Sequence, residues 1–231
     1  MSEAARIAAR AGFGVAYEDA HLLVVDKPAG LVVHPARGHR EGTLSQLLAG
    51  VAAGGEPERA GIVHRLDRDT SGLMLVARDE HAHRRLQEAL AKREIRREYL
   101  ALVEGRPPSR TGTVEAPIGR HPRIRTKMAI GGAGAREAVT HFEIERELPR
   151  FTLLRLRLQT GRTHQIRVHM QAIGHPVCGD PEYGTAGLLD LTRQFLHASL
   201  LAFEHPVGGE PVEVLSPLPP DLREALSRAE R

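Results

Sequence analysis

The chain has 231 residues, 41% of them hydrophobic, so it is long enough and apolar enough to bury a core. Its formal net charge is only +3, which excludes a histone-like protein that binds nucleic acid through overall charge. The single cysteine, Cys178, excludes an internal disulfide and a cysteine zinc cluster. Neither a signal-peptide core nor a run of 18 apolar residues is present, so we expect a soluble cytoplasmic protein with no membrane partner.

Arginine supplies nearly all of the positive charge. Only 3 of the 32 basic residues are lysines, and basic residues crowd two segments, 84–97 and 120–127. The planar guanidinium suits phosphate binding and base stacking, so either segment could contact nucleic acid. A genomic preference for arginine codons, and a solvated surface for the first segment, are the alternative explanations.

In chain order, the first predicted element is a strand over residues 21–25 that runs into a turn at 26–30. An apolar stretch at 31–33 predicts that the chain resumes as a strand, in a hairpin-like excursion. Thr43 is placed to be the N-cap of a short helix that extends through Leu48.

The next elements alternate between strands and one clear helix. Residues 73–77 predict a buried strand, and apolar residues at helical spacing predict an amphipathic helix over 80–93. Strands are then predicted at 99–103 and 113–118.

Alternation of apolar and polar residues predicts two further strands, at 138–145 and 154–159. The glycines of 131–134 predict a flexible connection, which places the basic residues 120–127 on an exposed loop or hairpin tip.

Residues 64–72, His-Arg-Leu-Asp-Arg-Asp-Thr-Ser-Gly, place Asp67 between two arginines. The guanidinium groups of Arg65 and Arg68 would favour its ionised form, and residues 69–72 predict a turn that holds the backbone rigid. An aimed, ionised carboxylate suits a nucleophile. The local pattern also fits an aspartate that caps a turn or pairs with a neighbouring arginine.

A second polar cluster follows the strand at 154–159. Thr163 predicts the N-cap of a helix, and Gly174 predicts its left-handed end. Arg167 would project from the first turn, on the flank opposite the apolar stripe, where it could bind a carboxylate or a phosphate. A structural arginine bound to nearby carbonyls is the alternative. The stripe consists of Ile166, Met170 and Ile173.

Both clusters resemble motifs of the RluA-type pseudouridine synthases, and they occur in the same order. Residues 97–103 resemble the tyrosine strand of that family, with Arg97 where lysine is usual. Residues 26–31, with His34 and Pro35, resemble its N-terminal motif. Segments 117–119 and 137–140 also fit, so the resemblance extends from about residue 21 to Tyr183.

The resemblance implies a role for each candidate residue. Asp67 would be the essential catalytic carboxylate, Tyr99 would stack on the target base, and Arg167 would pair with the aspartate. Arg65 would fill the gap that is left when the base is flipped out of its stack. Core packing for Tyr99 and a surface position for Arg65 are the alternatives. Weaker candidates for positioning phosphate or the motif strands are His64, Arg162, His164 and Gln165.

We therefore expect one α+β domain over residues 1–231, with its core at about 17–206. The resemblance implies a pseudouridine synthase fold: a long mixed, mostly antiparallel sheet with flanking helices and a central RNA-binding cleft. Many relatives carry an N-terminal RNA-binding domain of the S4 type, and we expect no separate one here.

The expected activity is the isomerisation of specific uridines in ribosomal or transfer RNA, by a monomer that needs neither a metal nor an organic cofactor. One alternative is a non-catalytic RNA-binding or ribosome-assembly factor on the same scaffold. Another is a hydrolase that uses Asp67 with a histidine, although the chain contains no G-x-S-x-G elbow.

Overall fold

Five α-helices and twelve β-strands occur in the part of the chain that the computed structural model describes, residues 1–35, 38–59 and 61–231. The helices are α1 (Glu3–Ala11), α2 (Leu44–Leu47), α3 (Glu80–Ala91), α4 (Gln165–Ala172) and α5 (Pro220–Ala229). The strands are β1 (Gly14–Glu18), β2 (Leu22–Lys27), β3 (Ser71–Ala77), β4 (Arg96–Glu104), β5 (Thr111–Glu115), β6 (Ile118–Arg120), β7 (Met128–Ile130), β8 (Ala133–Arg136), β9 (Val139–Glu147), β10 (Phe151–Leu158), β11 (Leu196–Glu204) and β12 (Pro211–Leu215). The predicted α+β class is confirmed.

The first of two compact units comprises Met1–Arg97 and Ala198–Pro217. β1, β2 and β3 pair antiparallel in that order, and β12 pairs antiparallel with β11. Every residue of β3 is buried, which agrees with its nearly continuous apolar sequence. α3 covers this core with Ala82 and Leu86, the two buried residues of its apolar stripe.

The second unit comprises Glu98–His197 and Leu218–Arg231. β4, β10, β9 and β5 form an antiparallel sheet in that order, and β6 pairs antiparallel with both β7 and β8. A small apolar cluster joins β6 to α4, because Ile118 and Val168 pack together with Ala138 and Tyr183. This unit therefore holds α4 next to a short three-stranded sheet.

Most predicted elements are confirmed, with small shifts at their ends, but the predicted single strand at 113–118 is wrong, because β5 and β6 are separate strands in different sheets. β2, β3, β4, β9, β10 and α3 lie where the periodicity predicts them, and the basic residues 121–127 connect β6 to β7 as a hairpin loop. The predicted connection at 131–134 is a turn that runs directly into β8. α1 was not predicted, because its buried positions are the alanines Ala4 and Ala8 rather than large apolar residues.

The prediction of a strand at residues 31–33 is wrong. The carbonyl oxygens of Val32 and Val33 accept the N–H groups of Leu44 and Ser45, both at 2.9 Å. These carbonyls therefore bind the first residues of α2 instead of pairing in a sheet. The predicted start of α2 is confirmed: the Thr43 N–H donates to Gln46 Oε1 at 3.1 Å.

No helix in residues 1–35, 38–59 and 61–231 is long and apolar enough to cross a membrane. The single domain and the central cleft stay predictions.

Candidate active site

Asp67 lies, partly buried, on a turn that leads into β3. The N–H of Thr70 donates to the Asp67 carbonyl oxygen at 3.1 Å, which closes the turn. Gly72 has a φ of 110°, and a Cβ atom there would lie 2.2 Å from the Ala198 carbonyl oxygen. Only glycine therefore fits at this point. A turn follows Asp67 as predicted, but it spans residues 67–70 rather than 69–72, because Ser71 and Gly72 already belong to β3.

A buried lysine fixes the backbone next to Asp67. The Nζ atom of Lys27 donates to the carbonyl oxygens of Pro28, Leu31 and Arg68 at 2.8, 2.9 and 2.8 Å. The N–H of Gly30 donates to the same Arg68 carbonyl at 2.9 Å. Since Lys27 is completely buried, its charge needs such acceptors, and it ties the N-terminal motif to the residue after Asp67.

His64 is buried and bonds to β3. Its Nε2 atom accepts the N–H of Leu75 at 3.1 Å. Burial, with a smaller contribution from the charge of Arg97, lowers the pKa of His64 to about 3, so the ring is neutral at pH 7. Its Nδ1 atom has no hydrogen-bond partner within the described part of the chain. This geometry supports a structural part for His64, and its predicted phosphate contact stays a prediction.

The two arginines that flank Asp67 are both exposed, and each reaches another side chain. Arg65 Nη1 lies 3.2 Å from His34 Nε2, and burial followed by the charge of Arg65 lowers the pKa of His34 to about 4. The neutral ring can therefore accept from the guanidinium. Arg68 donates to both carboxylate oxygens of Asp69, at distances of 2.8 to 3.1 Å.

Tyr99 lies in β4, opposite Leu156 of β10, and is only 5% exposed. This burial fits the core packing that a strand aromatic commonly has. The base-stacking role that the resemblance implies stays a prediction.

Arg167 lies, buried, in the first turn of α4, and the prediction that it could bind a carboxylate is confirmed. Its Nε donates to Asp180 Oδ2 at 2.6 Å, and its Nη2 donates to Asp180 Oδ1 at 2.9 Å and Glu182 Oε2 at 2.8 Å. These carboxylates hold the guanidinium in one orientation. The pairing of Arg167 with Asp67 stays a prediction.

Asp180 is completely buried, and its Oδ1 atom also accepts the N–H groups of Glu182 and Tyr183, at 2.9 and 3.1 Å. Burial alone would raise the pKa of Asp180, but the hydrogen bonds and charge of Arg167, with these N–H groups, lower it below its ordinary value. Asp180 was not among the predicted site residues, because it follows α4 and no spacing rule connects it to Arg167.

The turn before α4 is built around Gln165. Its Oε1 accepts from Thr160 Oγ1 at 2.8 Å and from the Arg162 N–H at 2.9 Å, and its Nε2 donates to the Val139 carbonyl and Thr140 Oγ1, both at 3.0 Å. Gln165 is therefore fully engaged inside the protein. The substrate contact of Gln165 stays a prediction, and the geometry supports a structural role for this residue.

The prediction that Thr163 caps α4 is wrong, because the N-cap is His164. This residue has a φ of 56° and a ψ of 21°, the left-handed conformation, and its Nδ1 lies 2.8 Å from Tyr183 Oη. The predicted end of α4 is confirmed, since Gly174 has a φ of 82° and follows the C-cap.

Arg162 is half-buried, and its Nε donates to the Glu137 carbonyl at 2.9 Å. Burial and the nearby charge of Arg136 lower its pKa from the ordinary arginine value. Two neighbouring guanidinium groups repel each other, which favours an anion beside them. The phosphate contact of Arg162 stays a prediction, and the neighbouring charge of Arg136 supports it.

Comparison with known proteins identifies the family. A family model described as RNA pseudouridylate synthase matches residues 21–172. The ribosomal large subunit pseudouridine synthase D of Xanthomonas campestris is 49% identical, over 92% of this chain and 68% of its own. The uncharacterized RNA pseudouridine synthase YlyB of Bacillus subtilis is 46% identical, over 91% of this chain and 70% of its own.

Solved structures agree with the sequence comparison. Human RNA pseudouridylate synthase domain containing 4 superimposes with a TM-score of 0.75 and 25% identity, over 98% of this chain and 95% of its own. Human RNA pseudouridylate synthase domain containing 1 superimposes with a TM-score of 0.71 and 29% identity, over 90% and 84%. The predicted fold class and enzyme class are confirmed. The chain belongs to the RluA-type family of RNA pseudouridine synthases.

Proposed function

We propose that this protein converts specific uridines of ribosomal or transfer RNA to pseudouridine, with Asp67 as its nucleophile. The observation that carries the proposal is the position of Asp67: it stands where the family pattern has its aspartate, on a turn whose next carbonyl, that of Arg68, is bound by the buried Lys27. A carboxylate on a fixed backbone needs little reorganisation before it acts.

The reaction breaks the bond between uracil N1 and ribose C1′ and forms a bond between C5 and C1′. C5 loses a proton and N1 gains one, so no electrons are exchanged and no redox cofactor is required. Asp67 either adds to C1′ or assists formation of a glycal by way of the C2′ proton. Both routes need a carboxylate beside the sugar and a pocket that retains the free base.

Three further side chains take the roles implied by the family pattern. Tyr99 stacks on the target base, and Arg167 keeps the nucleophilic carboxylate ionised. Arg65 fills the gap left by the flipped nucleotide. Support for this last role comes from its exposed position and from its hydrogen bond to neutral His34, which would release the guanidinium at little electrostatic cost.

Large-subunit ribosomal RNA is the first substrate to test. The Xanthomonas relative is named for the ribosomal large subunit, and its match covers 92% of this chain. We propose the same class of RNA here, with transfer RNA as the second candidate.

The experiment is tritium release from RNA that carries tritium at C5 of uridine, because C5 must lose its hydrogen when it becomes the glycosidic carbon. Unmodified large-subunit RNA, small-subunit RNA and transfer RNA are compared as substrates. We expect release from large-subunit RNA. Tight RNA binding without release from any of them would favour the non-catalytic RNA-binding alternative and contradict the proposal.

The single domain, the monomeric state and the cytoplasmic location stay predictions. Light scattering of the purified chain, alone and with RNA, tests the monomeric state directly.

A further inference from the structure

The loop of residues 121–127 between β6 and β7, here named the hairpin tip, presents positive charge to solvent. Arg123 and Arg125 are exposed, as is Arg120 at the end of β6. Within the described part of the chain, none of these three guanidinium groups pairs with a carboxylate. Such a surface suits the phosphate backbone of RNA.

Two arginines of the other basic segment, Arg85 and Arg96, have acidic partners. Arg85 of α3 lies 3.9 Å from Glu88, and Arg96 of β4 lies 3.1 Å from Glu213. These pairs leave less positive charge for an RNA partner. The three arginines at 120, 123 and 125 therefore offer more uncompensated charge to a phosphate than Arg85 and Arg96 do.

The hairpin tip is also ordered by its own hydrogen bonds. His121 Nδ1 accepts the N–H groups of Arg123 and Ile124 at 3.2 and 3.1 Å, and the His121 N–H donates to the Lys127 carbonyl at 3.0 Å. The N–H of Lys127 donates to the Ile124 carbonyl at 3.0 Å. Because the loop is already shaped, RNA binding need not order it.

Tyr183 connects this hairpin to the first turn of α4. Its Oη atom accepts the N–H of Met128, the first residue of β7, at 2.8 Å, and lies 2.8 Å from His164 Nδ1. Because the oxygen accepts from Met128, the phenol proton is free to be donated to His164. Burial is the main reason that the pKa of Tyr183 rises to about 12, so the hydroxyl keeps this proton.

The ring of Tyr183 adds a second connection. The Arg167 guanidinium carbon lies 4.9 Å from the ring centroid, and Lys127 Nζ of the hairpin tip lies 5.5 Å from it. Lys127 Nζ also donates to the Glu182 carbonyl, while the Glu182 carboxylate binds Arg167. One aromatic side chain thus touches both the base of the hairpin tip and Arg167.

We propose that Tyr183 is a positioning residue that fixes the hairpin tip relative to Arg167, so that an RNA whose phosphates bind the tip is presented to Arg167 at a set distance. This inference rests on the proposed function. The arginines of the tip provide affinity for RNA, and the Tyr183 hydroxyl keeps the tip in the correct position relative to Arg167.

The test measures turnover (kcat), RNA affinity and its salt dependence for Tyr183→Phe, which removes only the hydroxyl. We expect kcat to fall about tenfold or more, since a small misplacement of reacting groups is expensive, while affinity stays within about threefold. Tyr17→Phe is the matched control, because Tyr17 Oη donates to Asp19 Oδ2 at 2.8 Å in the other unit. The control should lose comparable stability and keep kcat.

The arginines are tested by Arg123→Ala combined with Arg125→Ala, with Arg85→Ala as the control. The double variant should weaken RNA binding about tenfold or more and reduce the slope of log K against log salt by about 0.7 to 0.9 for each phosphate that the tip no longer binds. Arg85→Ala should change neither quantity by more than about twofold, because Glu88 already partners Arg85.

Two outcomes would overturn the inference. Tyr183→Phe could retain wild-type kcat, whatever its affinity, or the double variant could bind RNA with an unchanged salt slope. Each occurs with an active wild-type enzyme, so neither disturbs the proposed function. Absence of turnover in the wild type would instead overturn the proposed function, and this inference with it.

Discussion

The chain around Asp67 and the chain around Arg167 are held by different kinds of bonds. Near Asp67, buried Lys27 and the Gly30 N–H bind one backbone carbonyl, and neutral His64 binds a strand N–H. Near Arg167, the buried carboxylate of Asp180 binds the guanidinium itself. In the first segment these bonds fix the backbone, whereas in the second they fix the functional side chain itself.

Removing the carboxylate of Asp180 should have the largest effect on stability. Asp180→Asn would leave a buried guanidinium short of negative charge, and breaking a buried ion pair typically costs about 3 to 5 kcal/mol. Urea unfolding measures this loss. Glu182→Gln is the control and should cost less, because the Glu182 side chain is 30% exposed. A loss below about 1 kcal/mol for Asp180→Asn would show that charge does not hold this segment.

Lys27→Met should cost about 2 to 4 kcal/mol in the free energy of unfolding, since three carbonyl oxygens would each lose a charged donor that is itself completely buried. Turnover should fall as well, because the backbone after Asp67 would no longer be fixed. Lys92→Met is the control, since Lys92 is exposed. Equal losses for the two variants would contradict the role given to Lys27.

Lowering the pH should destabilise the segment around Asp67 but not the segment around Arg167, and this loss of stability should be smaller than the losses expected for the two substitutions above. The folded-state pKa of His64, about 3, lies below its ordinary value of 6.5, so its contribution to stability is present above pH 6.5 and is lost as pH falls towards 3. Between pH 6.5 and 5 the loss should be about 2 kcal/mol. The pKa of Asp180 is lowered from 3.8, so this carboxylate stays ionised over the same range.

The measurement is the free energy of unfolding at pH 7 and pH 5 for the wild type and His64→Gln. Glutamine keeps an acceptor for the Leu75 N–H but cannot titrate, so the variant should show a smaller loss on acidification. The same loss in both proteins would mean that His64 does not set the acid response.

Arg65→Ala should have the smallest effect on stability, within about 0.5 kcal/mol, because Arg65 is exposed. Turnover should nevertheless fall, since the variant cannot fill the gap left by a flipped base. Thermal melting and tritium release check the two halves of this prediction. A variant with unchanged turnover would remove Arg65 from the proposed site.

Local periodicity predicted much of the fold. The apolar run of β3 and the stripe of α3 depend on near neighbours in sequence, so both were found. Residues 31–33 have the same local appearance as a strand, but their carbonyls bind α2, which sequence alone does not reveal. α1 escaped prediction because alanines carry its buried face.

Some residues of the candidate site could likewise be predicted from the sequence, and others could not. Asp67 could be singled out because its charged neighbours and its turn lie within a few residues. Asp180 and Tyr183 could not, because they meet Arg167 only through the fold. The Thr163 cap failed for a related reason: the buried Gln165 side chain closes the turn and shifts the N-cap to His164.

The role of Asp67 as the nucleophile can be examined by tritium release under single-turnover conditions with Asp67→Asn, measured together with RNA affinity. Asp69→Asn is the matched control, because Asp69 belongs to the same turn and binds Arg68. We expect Asp67→Asn to lose about 10⁴-fold or more in rate while RNA affinity stays within about threefold, and Asp69→Asn to remain active. An Asp67→Asn variant that turns over within about tenfold of the wild type would contradict this role of Asp67.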